Sequence, residues 1–214
     1  MTDGLRWVCE AYPFGHTLVF CEGLAPEQVL LRLGARRESF FPLTRVEAQE
    51  IEVRNAADEP YDLDHLDDLD VAAVEERGFL RPEVDAVLRA GAIEGWAFAV
   101  QASTSYVSAR DHLPALSRGT RVVTACRDVN ATQRVEYAVD GRVLSSFDPG
   151  LPAYDDGVDP VAFGWPTAAG SMASPQVMEW LEHHFRLWLP RASEHRRLPA
   201  AAFVTRRPAT PRPR

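Results

Sequence analysis

The densest gathering of groups able to do chemistry lies between Asp58 and Glu76, where nine carboxylates occur without an arginine. Asp62, Asp64, Asp67, Asp68 and Asp70 crowd around His65 there. Such a pattern suits hard divalent cations, which prefer oxygen ligands. An EF-hand loop, however, needs glycine at its sixth position and glutamate at its twelfth, and the run beginning at Asp62 supplies neither in register. Leu63, Leu66, Leu69 and Val74 recur at helical spacing, and Gly78 follows as a stop signal. The segment is therefore expected to be an amphipathic helix with a solvated acidic face, Asp62 and Asp64 complementing the positive end of its dipole. A carboxylate-dependent metal hydrolase using residues 58–76 is the alternative that this cluster leaves open.

Other reactive groups are scattered. His183 and His184 are adjacent on an expected helix, so their side chains diverge by roughly 100° and cannot share a metal as an i, i+4 pair would. Glu179 and His183 have that spacing but lack a visible third ligand. Asp111 and His112 near Ser108 lack the Gly-x-Ser-x-Gly elbow of a hydrolase, and no Gly-x-Gly-x-x-Gly occurs. Cys9, Cys21 and Cys126 fall in or near expected strands. Their odd number, wide separation and lack of a preceding secretory pattern read as reduced thiols in the cytoplasm. The match of Asn130 and Thr132 to a glycosylation sequon then has no consequence. All 23 cationic side chains are arginine, so imine, P-loop and kinase-type lysine chemistry are excluded. No catalytic residue, metal ligand set or cofactor motif is assigned.

One polar cluster stands apart. Arg127 and Asn130 flank a turn after an expected strand, Arg134 lies opposite, and Asp148 ends the neighbouring strand. These four are the expected binding residues, because loop-borne polar groups on a rigid sheet commonly carry recognition. The simpler reading makes Arg127 and Asp148 a cross-strand pair and Asn130 a turn former.

The elements that would position these groups can be read from punctuation and alternation. Residues 17–22 form a strand ended by Gly23, and Pro26 opens a helix stopped by Gly34. Thr44 and Glu47 make a capping box, although Ile51 and Val53 also alternate like a strand. Pro82 to Ala90, closed by Gly91, reads as a further helix. Strands follow at 95–100, 120–126, 135–139 and 142–147, with a short helical stretch from Ser108 to Gly119. Asp140 and Gly141 supply the signal for a type I′ hairpin. Residues 149–173 read as a long loop, and Ser174 starts a helix running to Leu189, where Pro190 stops it. The class is α+β, a mostly antiparallel meander with several helices packed on one face.

Charge divides the chain. The net −8 resolves into −14 for residues 1–190 and +6 for residues 191–214. Residues 1–190 are expected to form a single domain and 191–214 a basic, proline-rich, disordered tail. So acidic a body repels phosphate backbones, which disfavours nucleic-acid binding by the folded part and favours a basic protein partner. The tail suits an anionic surface, and no run is long and apolar enough to span a membrane.

Ordered blocks in this chain also carry a resemblance: residues 17–20 (TLVF), 23–34 (GLAPEQVLLRLG), 95–97 (GWA), 116–123 (LSRGTRVV), 127–131 (RDVNA), Asp140 with Gly141, and 147–149 (FDP). Across about residues 7–150 the chain resembles an uncharacterised actinobacterial domain family of unknown function. Asp128 departs from the family's Arg-Asn-Val-Asn-Ala pattern. The resemblance implies a small α+β module from a GC-rich genome, which accounts for arginine replacing lysine, and it implies no activity. The reading reached is a non-catalytic cytoplasmic interaction or regulatory module.

Overall fold

The computed structural model describes residues 3–102, 112–150, 164 and 172–204. Eight strands form one antiparallel sheet in the order β2-β8-β3-β4-β1-β5-β6-β7. They are β1 (His16–Glu22), β2 (Phe41–Leu43), β3 (Ala86–Ile93), β4 (Trp96–Gln101), β5 (Arg121–Arg127), β6 (Gln133–Val139), β7 (Arg142–Phe147) and β8 (Leu198–Phe203). The helices are α1 (Trp7–Ala11), α2 (Pro26–Arg32), α3 (Arg45–Ala56), α4 (Val71–Glu76), α5 (Leu113–Leu116) and α6 (Ser174–Phe185). The α+β class and the β5–β6–β7 meander are as expected.

Side-chain alternation splits the core into layers. Leu18, Phe20, Phe98, Val100 and Val123 face one side of the sheet and pack under α1 and α6. Ile51, Val74, Phe79 and Val87 continue that layer beneath α3 and α4. Val19, Cys21, Ala97, Ala99 and Val122 face the other side, covered by Val29 and Leu30 of α2, by Leu33 at its C-cap, and by Leu113 and Leu116 of α5. Several helices thus share one face, and two more close the opposite one.

Local signals account for many boundaries. Thr44 Oγ1 accepts from Glu47 N at 3.3 Å while Glu47 Oε2 accepts from Thr44 N at 2.7 Å, so the capping box decides the ambiguity at 44–53 in favour of α3. Asp140 and Gly141 hold φ of 47° and 79°, as a type I′ turn between β6 and β7 requires.

Four expectations are corrected. Residues 82–90 do not form a helix; their C-terminal part belongs to β3. A central strand buried on both faces needs a continuous apolar run, and such a run mimics a helical pattern. Gly91 is a packing residue rather than a helix stop, since a Cβ there would lie 2.4 Å from Cζ of Phe98. In the acidic segment only Val71–Glu76 is helical, capped by Asp70 accepting from Ala73 N at 3.0 Å. Leu63, Leu66 and Leu69 are joined by successive three-residue turns instead, with Leu66 N and Leu69 N bonding back at 2.9 Å each. A spacing of three serves consecutive turns as well as a helix.

The last helix stops at Phe185 rather than Leu189, because Arg186 takes the left-handed conformation at φ 56°. Finally, residues 191–204 are part of the domain: β8 pairs with β2 and β3, and Leu198, Ala200, Ala201 and Phe203 enter the core. The arginines around it hid a strand of alanine, leucine and phenylalanine. The expected loop at 149–173, the stretch around Ser108 and the arginine-rich end at 205–214 fall wholly or mostly outside the described residues.

Candidate functional site

The four residues expected to bind do not converge on one face. Arg127 ends β5 on the α1 side, opposite His16 in register, and donates through Nη1 to the Pro13 carbonyl at 3.3 Å. Arg134 faces the other side, next to Cys126, and its Nη1 donates to Ser146 Oγ at 3.0 Å. Asp148 accepts from Gly150 N at 2.7 Å. Strand β6 lies between β5 and β7, so Arg127 and Asp148 are not a cross-strand pair. In the connecting turn, Asp128 Oδ1 accepts from Asn130 N and Thr132 N at 2.9 Å each, with Ala131 at φ 63°. An asparagine carbonyl would fill that acceptor role equally. The side chain of Asn130 is exposed.

Beneath Arg134 the sheet carries a buried polar ladder. Glu136, only 1% exposed, accepts from Thr124 Oγ1 and Ser146 Oγ at 3.1 Å each. Burial, reinforced by the Glu136 charge, pushes the Cys126 thiol up to about 12. Burial likewise raises Cys21 to about 12 and shifts Cys9 upward. All three cysteines are thus kept as poorly nucleophilic thiols at neutral pH.

A cleft lined by polar groups lies elsewhere. Thr44, Val46 and Glu47 at the start of α3, His65, Leu66, Asp67 and Asp68 of the acidic turns, and His195 and Arg197 before β8 line a cleft of about 480 Å³. Arg197 builds it. Its Nη2 pairs with Glu47 Oε1 and donates to the Asp68 carbonyl, so it ties the acidic segment to α3 and to the strand that follows. Glu47 is 5% exposed and is satisfied by this arginine and by the helix cap. All nine carboxylates of residues 58–76 are exposed, and among the described residues only Asp70 uses its side chain to hold the fold. His65 lies 3.6 Å from Glu50 and stacks obliquely near Tyr61. Sequence reading found the acidic half of this cleft and missed Arg197 and His195, which were assigned to a tail. The only available signal was the apolar alternation of residues 198–203.

Other candidates are absorbed by packing. A shallow concavity of about 500 Å³ beside Glu22, Thr120 and Asp140 is lined by groups that satisfy one another. There Arg121 forks onto the Glu22 carboxylate and lies 5.7 Å over the Trp96 ring. His184 stacks on Trp180 at 4.4 Å. Among the described residues no three His, Cys, Asp or Glu side chains converge as metal ligands would.

Inside the α1 layer, Arg89 is 2% exposed and donates to Ser193 O at 2.9 Å and to Tyr12 Oη at 3.1 Å. Arg45 lies over the Tyr12 ring and pairs with Glu194 at 3.1 Å. This network fastens the turn that presents His195 and Arg197 to the sheet and to α1.

The sequence profile of one family, described as a family of unknown function, matches residues 5–163. The chain belongs to this family, DUF6461. The matched stretch contains β1 to β7 and the acidic half of the cleft, whereas α6, β8, His195 and Arg197 follow it. No curated protein and no solved structure matches the chain. No helix among the described residues is long and apolar enough to cross a membrane.

Proposed function

We propose that this DUF6461 domain is a non-catalytic cytoplasmic interaction module whose cleft between α3, the acidic turns and the start of β8 receives a basic segment of a protein partner. The observation supporting this most directly is the imbalance of its wall. Eight of the nine exposed carboxylates between Asp58 and Glu76 have no structural task among the described residues, while Arg197 is consumed in fixing their backbone. A surface rigidly held yet not internally neutralised attracts cations from outside and accelerates their encounter. Val46 and Leu66 add an apolar floor against which the aliphatic stems of lysine or arginine can lie.

The same acidity opposes binding of nucleic acid to the folded part, and the four arginines after residue 204 are left to contact an anionic surface. Of the four residues around the β5–β6 turn, the exposed Asn130 is proposed as a secondary polar contact, while Arg127, Arg134 and Asp148 support the turn and its neighbouring strands.

A fluorescent arginine-rich decapeptide, titrated into the full chain, tests the proposal. Binding should weaken steeply between low and physiological salt and should weaken roughly thirtyfold when Asp62, Asp64, Asp67 and Asp68 are changed together to Asn. Equal binding by that variant, or no binding at low salt, would refute it.

A further inference from the structure

Buried polar groups in folded proteins nearly always have hydrogen-bond partners, so an exception calls for an explanation. His16 is such an exception. The first residue of β1, it has no exposed surface, and neither Nδ1 nor Nε2 makes a hydrogen bond of good geometry, the Tyr12 backbone offering only a weaker polar contact. Alternation along β1 places its ring on the α1 side, in the row above Leu18. The short loop Tyr12–Gly15, closed by Gly15 N donating to Tyr12 O at 3.2 Å, leads directly into it.

The groups around the ring favour its neutral form. From β5, the cross-strand neighbour Arg127 sets a guanidinium beside it and reaches over to the Pro13 carbonyl. From α1 come Tyr12, whose hydroxyl is engaged by Arg89, and Cys9, which lies in the field of Arg127 and keeps its proton. The Tyr12 carbonyl is the one nearby group that favours a charged ring, and Ala102, the residue that follows β4, is apolar. Glu10 acts on Cys9 rather than on His16. Burial first, then Arg127, hold the imidazole neutral down to about pH 4.

We propose that His16 is a proton-operated latch: the neutral ring seats the Tyr12–Gly15 loop and the end of α1 against the sheet, and protonation releases them while the sheet stays folded. What the release breaks is confined to the contacts of the loop and of Tyr12: Arg127 to the Pro13 carbonyl, Arg89 to the Tyr12 hydroxyl and Arg45 against the Tyr12 ring. An imidazolium beside Arg127 reaches water once the Tyr12–Gly15 loop lifts. The anchors further back, Trp7 Nε1 to Leu189 O at 2.9 Å and Leu5 N to Glu182 at 3.0 Å, hold the start of the segment. Phe14, 73% exposed on the same loop, moves with it. The sign follows from linkage. The ring is harder to protonate when closed than when open, so the closed state is fully favoured above the ordinary histidine range near 6.5 and is lost as pH falls toward about 4.

Hydrogen exchange of the full chain, read on a peptide spanning residues 7–16 and corrected for the intrinsic pH dependence, tests the latch. Its opening should increase by about tenfold per pH unit from 6.5 down to about 4.5, with β3 and β4 still protected. His16→Phe should make this peptide's opening independent of pH. A flat profile in the native chain, the same slope in His16→Phe, or simultaneous loss of the β3–β4 protection would each overturn the proposal. Should His16→Phe fail to fold, the His16 ring proton resonance decides independently: titration well below pH 6 supports the latch and titration at the ordinary value overturns it.

Discussion

The β5–β6 turn and the acidic segment are both rich in polar residues, and the structure uses them in opposite ways. In the turn, the backbone and nearby groups consume the polarity. Asp128 caps two amides, Arg127 holds the Pro13 carbonyl, Arg134 holds Ser146 and Asp148 holds Gly150. In the acidic segment a single carboxylate, that of Asp70, caps a helix, and two outside residues, Arg54 at the Tyr61 carbonyl and Arg197 at the Asp68 carbonyl, fix the backbone. Polar side chains spent on neighbouring backbone groups shape a turn. Those left exposed on a fixed backbone are available to another molecule.

The sharpest test of that contrast is Arg197→Ala. It strips the partner from a nearly buried Glu47 and frees the Asp68 carbonyl, and a loss of about 2 kcal/mol is expected in denaturant melts. Exchange should rise selectively at residues 61–70. A uniform rise across the sheet would show that the cleft wall does not depend on this arginine.

The fourfold change of Asp62, Asp64, Asp67 and Asp68 to Asn should reverse the balance of effects. Stability should hold or improve, because like charges are relieved, whereas four exposed pairs at about 0.5 kcal/mol each imply roughly thirtyfold weaker decapeptide binding. A marked loss of stability would mean that these acids are structural after all.

Asp128→Ala should remove about 1 kcal/mol by orphaning two turn amides, and Asp128→Asn should restore nearly all of it. A failure of Asn to rescue would assign the carboxylate charge a role of its own. Smallest of all, Asn130→Ala should shift stability by less than about 0.5 kcal/mol, since its exposed side chain supports nothing among the described residues.

Much of the fold was legible where one residue type has one local use. Pro26 and Gly34, Thr44 with Glu47, and Asp140 with Gly141 each mark a boundary that needs no distant partner. Reading failed where burial decided the outcome. Residues 82–90 look helical until β4 and β8 are known to flank β3, and residues 198–203 look like part of a charged tail until β2 and β3 receive them. The candidate site was half visible for the same reason. Its acids are contiguous in sequence, but Arg197 stands 150 residues from the Glu47 it pairs with, and no local pattern links the two.

The position of β8 also sets an order of events. Between β2 and β3 lies a slot that residues 198–203 fill, so those two strands wait until residue 203 has been made. Strands β4, β1, β5, β6 and β7 can assemble earlier through nearer neighbours, with β3 joining as the hairpin partner of β4. Until β8 arrives, the apolar outer edge of β3 is open to pairing with another chain. During synthesis on the ribosome, the interval before residue 203 emerges is therefore the period of greatest exposure to aggregation, and a truncation ahead of Leu198 would make that exposure permanent.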